Sequence, residues 1–285
     1  MTRRLRRSRE RDYGRDVPSL RVAFVQGKPA FGHVAENLEH GLELARGVTG
    51  DLVILPELWS SGYVFSSHAE VEALAESAAD GPTARALKAA ARRERRTYVA
   101  GFPERSRGRL YNSAMLVGPS GVRAVYRKIH LFEREREWFS PGNLPLAVHR
   151  VGPARVGLMI CFDWRFPEAA RVLALEGADV IAHPSNLVFA IAQEALRTRA
   201  LENRVYIATA NRTGVEARPG GRVPFTGRSQ VVDPSGQVMV RAGKTQEAAL
   251  AVECDLERSR DKWLTRQTPL FQGRRPRFYR ALVCR

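Results

Sequence analysis

The sequence predicts a single α/β domain, with helices outside and two mixed sheets facing inward. Three features predict it. Short apolar runs of strand length alternate with amphipathic runs of helix period. The second half of the chain repeats the rhythm of the first. Turn signals join some of the strands as hairpins. Leu20 to Gln26 reads as a buried strand, Ala35 to Arg46 as a helix, and Leu52 to Leu55 as a second strand stopped by Pro56. Thr83 to Arg95 reads as a helix capped by Thr83. Strands follow at Tyr98 to Phe102, Tyr111 to Val117 and Val122 to Arg127, the last two joined by the Pro119-Ser120-Gly121 turn. The second round has a strand at Val156 to Ile160, a helix opened by proline at Pro167 to Glu176, a strand at Asp179 to Ala182 and a helix at Glu194 to Arg204. Strands at Val205 to Ala210, Ser229 to Asp233, Gln237 to Val240 and Ala249 to Cys254 complete it, with a turn at Asp233 to Gly236. The domain is expected over residues 19–270, between a basic N-terminal tail at 1–18 and a C-terminal tail at 271–285.

Composition narrows the function classes. A chain of 285 residues, 44% hydrophobic, buries enough apolar surface to fold without disulfides or metal. Its three cysteines (Cys161, Cys254 and Cys284) do not form a disulfide framework, and a reducing, cytoplasmic setting is expected. Cys254 ends an apolar strand and reads as core, and Cys284 as a bystander in the tail. No metal-ligand spacing is present, so no metal is expected. No apolar run reaches the roughly 20 residues that span a membrane. The Arg-rich start has no apolar stretch behind it, which argues against a secretory signal. The net charge is +16, but only five of the 46 basic residues are lysines and the arginines are scattered. No basic patch with interleaved aromatics appears, so nucleic acid is not the expected partner.

Three polar residues of different chemistry sit just after buried strands: Glu57, Lys128 and Cys161. In open α/β sheets, ligand sites gather at the carboxyl ends of strands. A cysteine thiolate is a strong nucleophile, a nearby ammonium lowers the thiol pKa and stabilises an oxyanion, and a partly buried carboxylate moves protons. Together they can run acyl transfer through a thioester. Taken singly, each has a plainer reading: a buried small hydrophobe, a helix cap, a surface lysine.

The residues around these positions change the weighing. Leu55-Pro56-Glu57-Leu58, Tyr126 to Leu131 (YRKIHL) and Met159 to Glu168 (MICFDWRFPE) resemble, in order, the three signature segments of the nitrilase superfamily of carbon–nitrogen hydrolases. Phe132 to Asn143, His183 to Val188, Arg199 to Arg212 and Phe225 to Gly236 extend the resemblance to roughly Leu20 to Leu256. It implies a four-layer α-β-β-α sandwich with two mixed β-sheets, no cofactor, and a homodimer or larger assembly in which outer helical layers pack together. By residue-level match, Cys161 is the nucleophile, Glu57 the general base and acid, and Lys128 with the backbone N–H of Phe162 the oxyanion donors. Glu135 best fits the second glutamate that holds the lysine and substrate, with Glu133 and Glu137 as competitors. The implied substrate is a small aliphatic nitrile or amide, with an ω-amidase or an N-carbamoyl amidohydrolase as alternatives. In a different class, a non-catalytic scaffold would keep the fold, but the intact set of three argues against it.

Neighbouring residues carry two readings each. Arg165 either binds a substrate carboxylate or, by preference, pairs with Asp163 or Glu168. Asn186 lies near the pocket or makes a turn. Tyr63 and Trp164 line the pocket or, more conservatively, pack in the core. His130 and His183 read as structural histidines.

Overall fold

The structure is a computed structural model and describes residues 17–283. Met1 to Asp16 of the expected basic tail, and Cys284, lie outside the described residues. The elements run β1 (Ser19–Gln26), α1 (Val34–Arg46), β2 (Leu52–Ile54), α2 (His68–Leu74), α3 (Pro82–Glu94), β3 (Thr97–Ser106), β4 (Arg109–Gly118), β5 (Gly121–Arg127) and α4 (Glu135–Trp138). They continue as β6 (Val148–Val151), β7 (Ala154–Leu158), α5 (Pro167–Leu175), β8 (Val180–Pro184), α6 (Ile191–Asn203), β9 (Tyr206–Ala210), β10 (Val215–Arg218), β11 (Gly221–Pro224), β12 (Gln230–Val232), β13 (Val238–Arg241), β14 (Ala248–Asp255) and α7 (Leu256–Arg260).

Two six-stranded mixed sheets result, in the orders β14-β1-β2-β3-β4-β5 and β6-β7-β8-β9-β12-β13. Read in these directions, both run antiparallel, parallel, parallel, antiparallel, antiparallel. The repeated rhythm in the sequence is therefore a repeated sheet. Strand alternation sorts the side chains. Val22 and Phe24 of β1 and Ile54 of β2 turn toward the second sheet, in one apolar cluster with Leu158 of β7, Ala182 of β8 and Ile207 of β9. Ala23, Val25, Val53 and Tyr98 turn outward onto Leu38 of α1 and Leu87 and Ala91 of α3. Ala170 and Leu173 of α5 and Leu196 and Ala200 of α6 cover the other sheet. The expected layering of helix, sheet, sheet and helix is what the chain adopts.

Several local expectations need correction. The N-cap of α3 is Gly81, not Thr83. Thr83 lies inside the first turn, where its N–H and Oγ1 donate to Glu76 at 2.7 and 2.5 Å. The helix α6 starts earlier than Glu194, at Ile191, whose side chain faces solvent and so adds nothing to the apolar period. The β10–β11 ribbon, the edge strand β6 and the short helices α2 and α4 were not visible in the pattern. Their side chains are largely exposed or half-buried, so hydrophobic periodicity does not mark them.

Candidate active site

Each of the three polar residues is carried to the gap between the sheets by the strand before it. Glu57 follows β2, and its backbone presses against β3: a side chain at Gly101 would meet Glu57 Cα at 2.4 Å. The N–H of Gly101 donates to the Pro56 carbonyl at 3.0 Å, and that of Trp59 to Gly101 at 2.9 Å. Lys128 follows β5 directly, its N–H bonded to the Asn112 carbonyl of β4 at 2.8 Å. Cys161 opens a single tight helical turn, Cys161–Arg165, three residues beyond the end of β7. Leu58 (φ 47°) and Cys161 (φ 38°) both take left-handed backbone, which costs a non-glycine residue about 1–3 kcal/mol. The strain is held by surrounding bonds. Asp163 accepts from the Ile160 N–H and the Tyr126 hydroxyl at 2.8 Å each and bonds the His130 ring at 2.7 Å, tying the cysteine turn to the lysine loop.

Glu57, Lys128 and Glu135 form one buried cluster. Lys128 Nζ donates to Glu57 Oε1 and to Glu135 Oε1, both at 2.7 Å. Asn112 Nδ2 donates to the same Glu57 oxygen at 2.7 Å. Glu57 Oε2 is buried without a hydrogen-bond partner among the described residues. Burial would strip Lys128 of its proton, but the charges of Glu135 and Glu57 outweigh it and hold the ammonium above its ordinary pKa. Burial likewise lifts the Glu135 carboxyl, against the pull of Lys128. The thiol differs from its expectation. The Lys128 ammonium and the Asn186 backbone N–H do lower the Cys161 pKa, but burial and the Glu57 charge raise it more, so the group rests as a thiol.

Glu135 is the member of the Glu133, Glu135 and Glu137 set that turns inward; Glu133 and Glu137 are exposed. Tyr63 joins this cluster: its hydroxyl donates to Glu135 Oε1 at 2.9 Å, and it lines a cavity of about 380 Å³. Asn186 is buried and donates from Nδ2 to the Glu57 carbonyl at 3.0 Å, so it pins the glutamate's backbone. Phe162 follows the cysteine, its ring against Phe132 and Phe166 at 5.0 and 5.6 Å. Trp164 is buried in the apolar cluster that also holds Cys161 and Leu158. Arg165 fits neither of its readings. It is exposed, with its guanidinium 5.6 Å from the Trp164 ring centre, while Asp163 is taken up by Ile160, Tyr126 and His130. His183 is structural and neutral: burial lowers its pKa to about 4, and Nε2–H donates to the Cys161 carbonyl at 2.9 Å.

The cavity is walled by Leu58, Phe65, Phe132, Phe139, Val188 and Phe189, with Glu133, Arg134, Glu135 and Arg222 as charged groups. Cys161, Glu57 and Lys128 do not line it, and Lys128 is one hydrogen bond behind Glu135. Sequence reasoning missed Asn112 and Asp163 as site residues. The signal for Asn112 was a polar pair, Asn112-Ser113, inside the apolar strand Leu110 to Val117. Among the described residues no group of three or more His, Cys, Asp or Glu is placed to hold a metal ion, and no helix is long and apolar enough to cross a membrane.

Comparison with known proteins extends these observations. The profile of the family described as carbon-nitrogen hydrolase matches residues 21–262. A nitrilase of Pyrococcus abyssi is 42% identical over 263 residues, covering 91% of this chain and 99% of its own. The carbon-nitrogen hydrolase structure from Helicobacter pylori G27 superposes with a TM-score of 0.85 at 28% identity, over 94% of this chain and 99% of that one. A structure of a variant amidase from Nesterenkonia sp. AN1, which carries acrylamide added at its active-site cysteine, gives a TM-score of 0.75 at 26% identity over 93% and 100% of the two chains. By profile, relatives and fold together, the chain belongs to the carbon–nitrogen hydrolase family, the nitrilase superfamily.

Proposed function

We propose that this protein hydrolyses a small nitrile or amide to a carboxylic acid and ammonia, with Cys161 as nucleophile, Glu57 as proton carrier and Lys128 as oxyanion donor. The observation that carries this reading is the buried ammonium shared by two carboxylates, with Glu57 Oε2 left without a hydrogen-bond partner among the described residues. Glu57 takes the thiol proton as Sγ attacks the substrate carbonyl carbon. Lys128 and the Phe162 backbone N–H receive the oxyanion. The C–N bond then breaks, and Glu57 delivers its proton to the departing ammonia. Glu57 next takes a proton from water, whose oxygen attacks the thioester, and returns it to Sγ as the acid leaves. With a nitrile, attack gives a thioimidate, and a water adds before ammonia departs. Glu135 holds Lys128 between the two carboxylates throughout.

The cavity reaches the charged cluster through Tyr63 and Glu135, and its apolar walls suit the uncharged part of a substrate. An ω-amidase reading draws on Arg222 at the cavity rather than on the exposed Arg165. Self-association through the α5–α6 layer belongs to the same proposal. Val172 and Leu175 of α5 and Ile191 and Leu201 of α6 are exposed, whereas neither α1 nor α3 exposes a large apolar side chain. Leu175→Arg should shift the protein toward monomer in sedimentation, and unchanged mass would remove this surface from the interface.

The deciding experiment is ammonia release from short nitriles, amides, ω-amides and N-carbamoyl compounds, comparing the protein with Cys161→Ala. Release that vanishes in the folded variant supports the reading, and the preferred compound names the subtype. Release that persists would sink the nucleophile assignment.

A further inference from the structure

We infer that Glu216 and Arg212 form a positioning pair for this site, acting through Tyr63; the inference rests on the catalytic reading above. Tyr63 supplies one of the two side-chain donors to Glu135 Oε1, the other being Lys128. Its loop, between β2 and α2, belongs to no sheet; backbone bonds tie it at Trp59, Ser61 and Gly62, but the N–H groups of Tyr63 and Val64 go to a side chain. That side chain is Glu216 of β10: its carboxylate accepts the Tyr63 N–H at 3.1 and 3.2 Å and the Val64 N–H at 2.6 Å. Arg212 holds Glu216 in turn, with Nη1 to Oε2 at 2.6 Å, and is itself anchored to the Pro29 carbonyl at 3.0 Å. Phe225 completes the clamp. Its ring meets the Tyr63 ring edge-on at 5.9 Å and takes the Arg212 guanidinium at 4.2 Å.

Stability alone is a weak reason for this pair. Arg212 and Glu216 are 1% and 7% exposed, and Arg212 Nε is buried without a partner among the described residues. A buried ion pair with an unsatisfied donor recovers its desolvation cost poorly. What the pair does is fix two consecutive backbone N–H groups in the loop that carries Tyr63. The chain of bonds runs Arg212, Glu216, Tyr63 backbone, Tyr63 hydroxyl, Glu135, Lys128. The turn beyond β10 and the strand β11 also line the cavity, so the same clamp joins its wall to the charged cluster. If Tyr63 swings away, Glu135 loses a donor and Lys128 loses its fixed direction. A misplacement of about 1 Å at such a point can cost on the order of 10²-fold in rate.

The test is a cycle of variants on the best substrate, once its turnover has been shown to need Cys161. Absence of Cys161-dependent turnover would overturn the catalytic reading and this inference with it. Given turnover, Glu216→Ala is expected to lower kcat by about 10- to 100-fold with KM changed less than about threefold. Tyr63→Phe should lower kcat comparably, and the double variant should lose little beyond the larger single loss. The isosteric Glu216→Gln retains an oxygen for the two backbone N–H groups and should recover part of kcat. If Glu216→Ala does not fold, Glu216→Gln carries the same cycle with a loss of about tenfold. Losses that multiply in the double variant, or a change confined to KM, would make the pair merely structural and overturn the inference.

Discussion

Two cations of one loop pair with glutamates of one short helix, and they meet different fates. Lys128 bonds Glu135 at 2.7 Å, the two side chains 0% and 5% exposed. Arg134 pairs with Glu137 at 3.0 Å, the two side chains 47% and 51% exposed. On paper the pairs are equivalent. In water the second is a screened contact worth little. Out of water the first must be satisfied from several sides, and it is: Glu57, Tyr63 and the Phe132 N–H complete it. Sign and spacing of charge do not by themselves make a tight charge cluster; removal of solvent does, because the fields of the charges are then little screened.

This contrast can be broken in graded ways. Replacing the buried cation by Lys128→Met should cost on the order of 10²–10³ in kcat, as loss of an oxyanion donor does. A loss below about tenfold in steady-state assays would remove Lys128 from that role. Burial acts on His183 too, and the sign follows from its pKa of about 4 against an ordinary 6.5. Above pH 6.5 both folded and unfolded forms are neutral. As pH falls from 6.5 to about 4, the unfolded chain takes up a proton that the folded one refuses, and stability drops, by on the order of 3 kcal/mol in full. Urea unfolding at several pH values should show a flatter acid limb in His183→Gln; an unchanged limb would mean His183 does not titrate this way. Glu135→Gln keeps shape but removes the charge that steadies Lys128, and kcat should fall by about tenfold or more. The same change at exposed Glu137 should leave kcat within about twofold. Equal losses at both positions would erase the distinction between the pairs.

The choice among Glu133, Glu135 and Glu137 shows why part of the site was legible and part was not. Their spacing let all three compete, since a charged run of this kind carries no period that says which side is dry. Only the left-handed backbone at Glu133 (φ 44°) and the turn that follows it point Glu135 inward. Asn186 illustrates the same limit. Its segment matched the family, but its bond to the Glu57 carbonyl joins residues 129 positions apart, which no local pattern reports. Arg165, four residues after Cys161, looked close to it in sequence, yet it is exposed, over the Trp164 ring.

By itself the sequence determined the buried strands, the main helices, the repeated rhythm of the two halves and the three polar residues at strand ends. It could do so because buried strands write their burial into continuous apolar runs, and a motif keeps glutamate, lysine and cysteine in a fixed order. Tertiary structure alone decided which charges lost their water, why the thiol keeps its proton, and that a distant pair, Arg212 and Glu216, reaches the cluster through Tyr63. These depend on desolvation and on bonds between remote segments, and both quantities exist only after the two sheets have closed on each other.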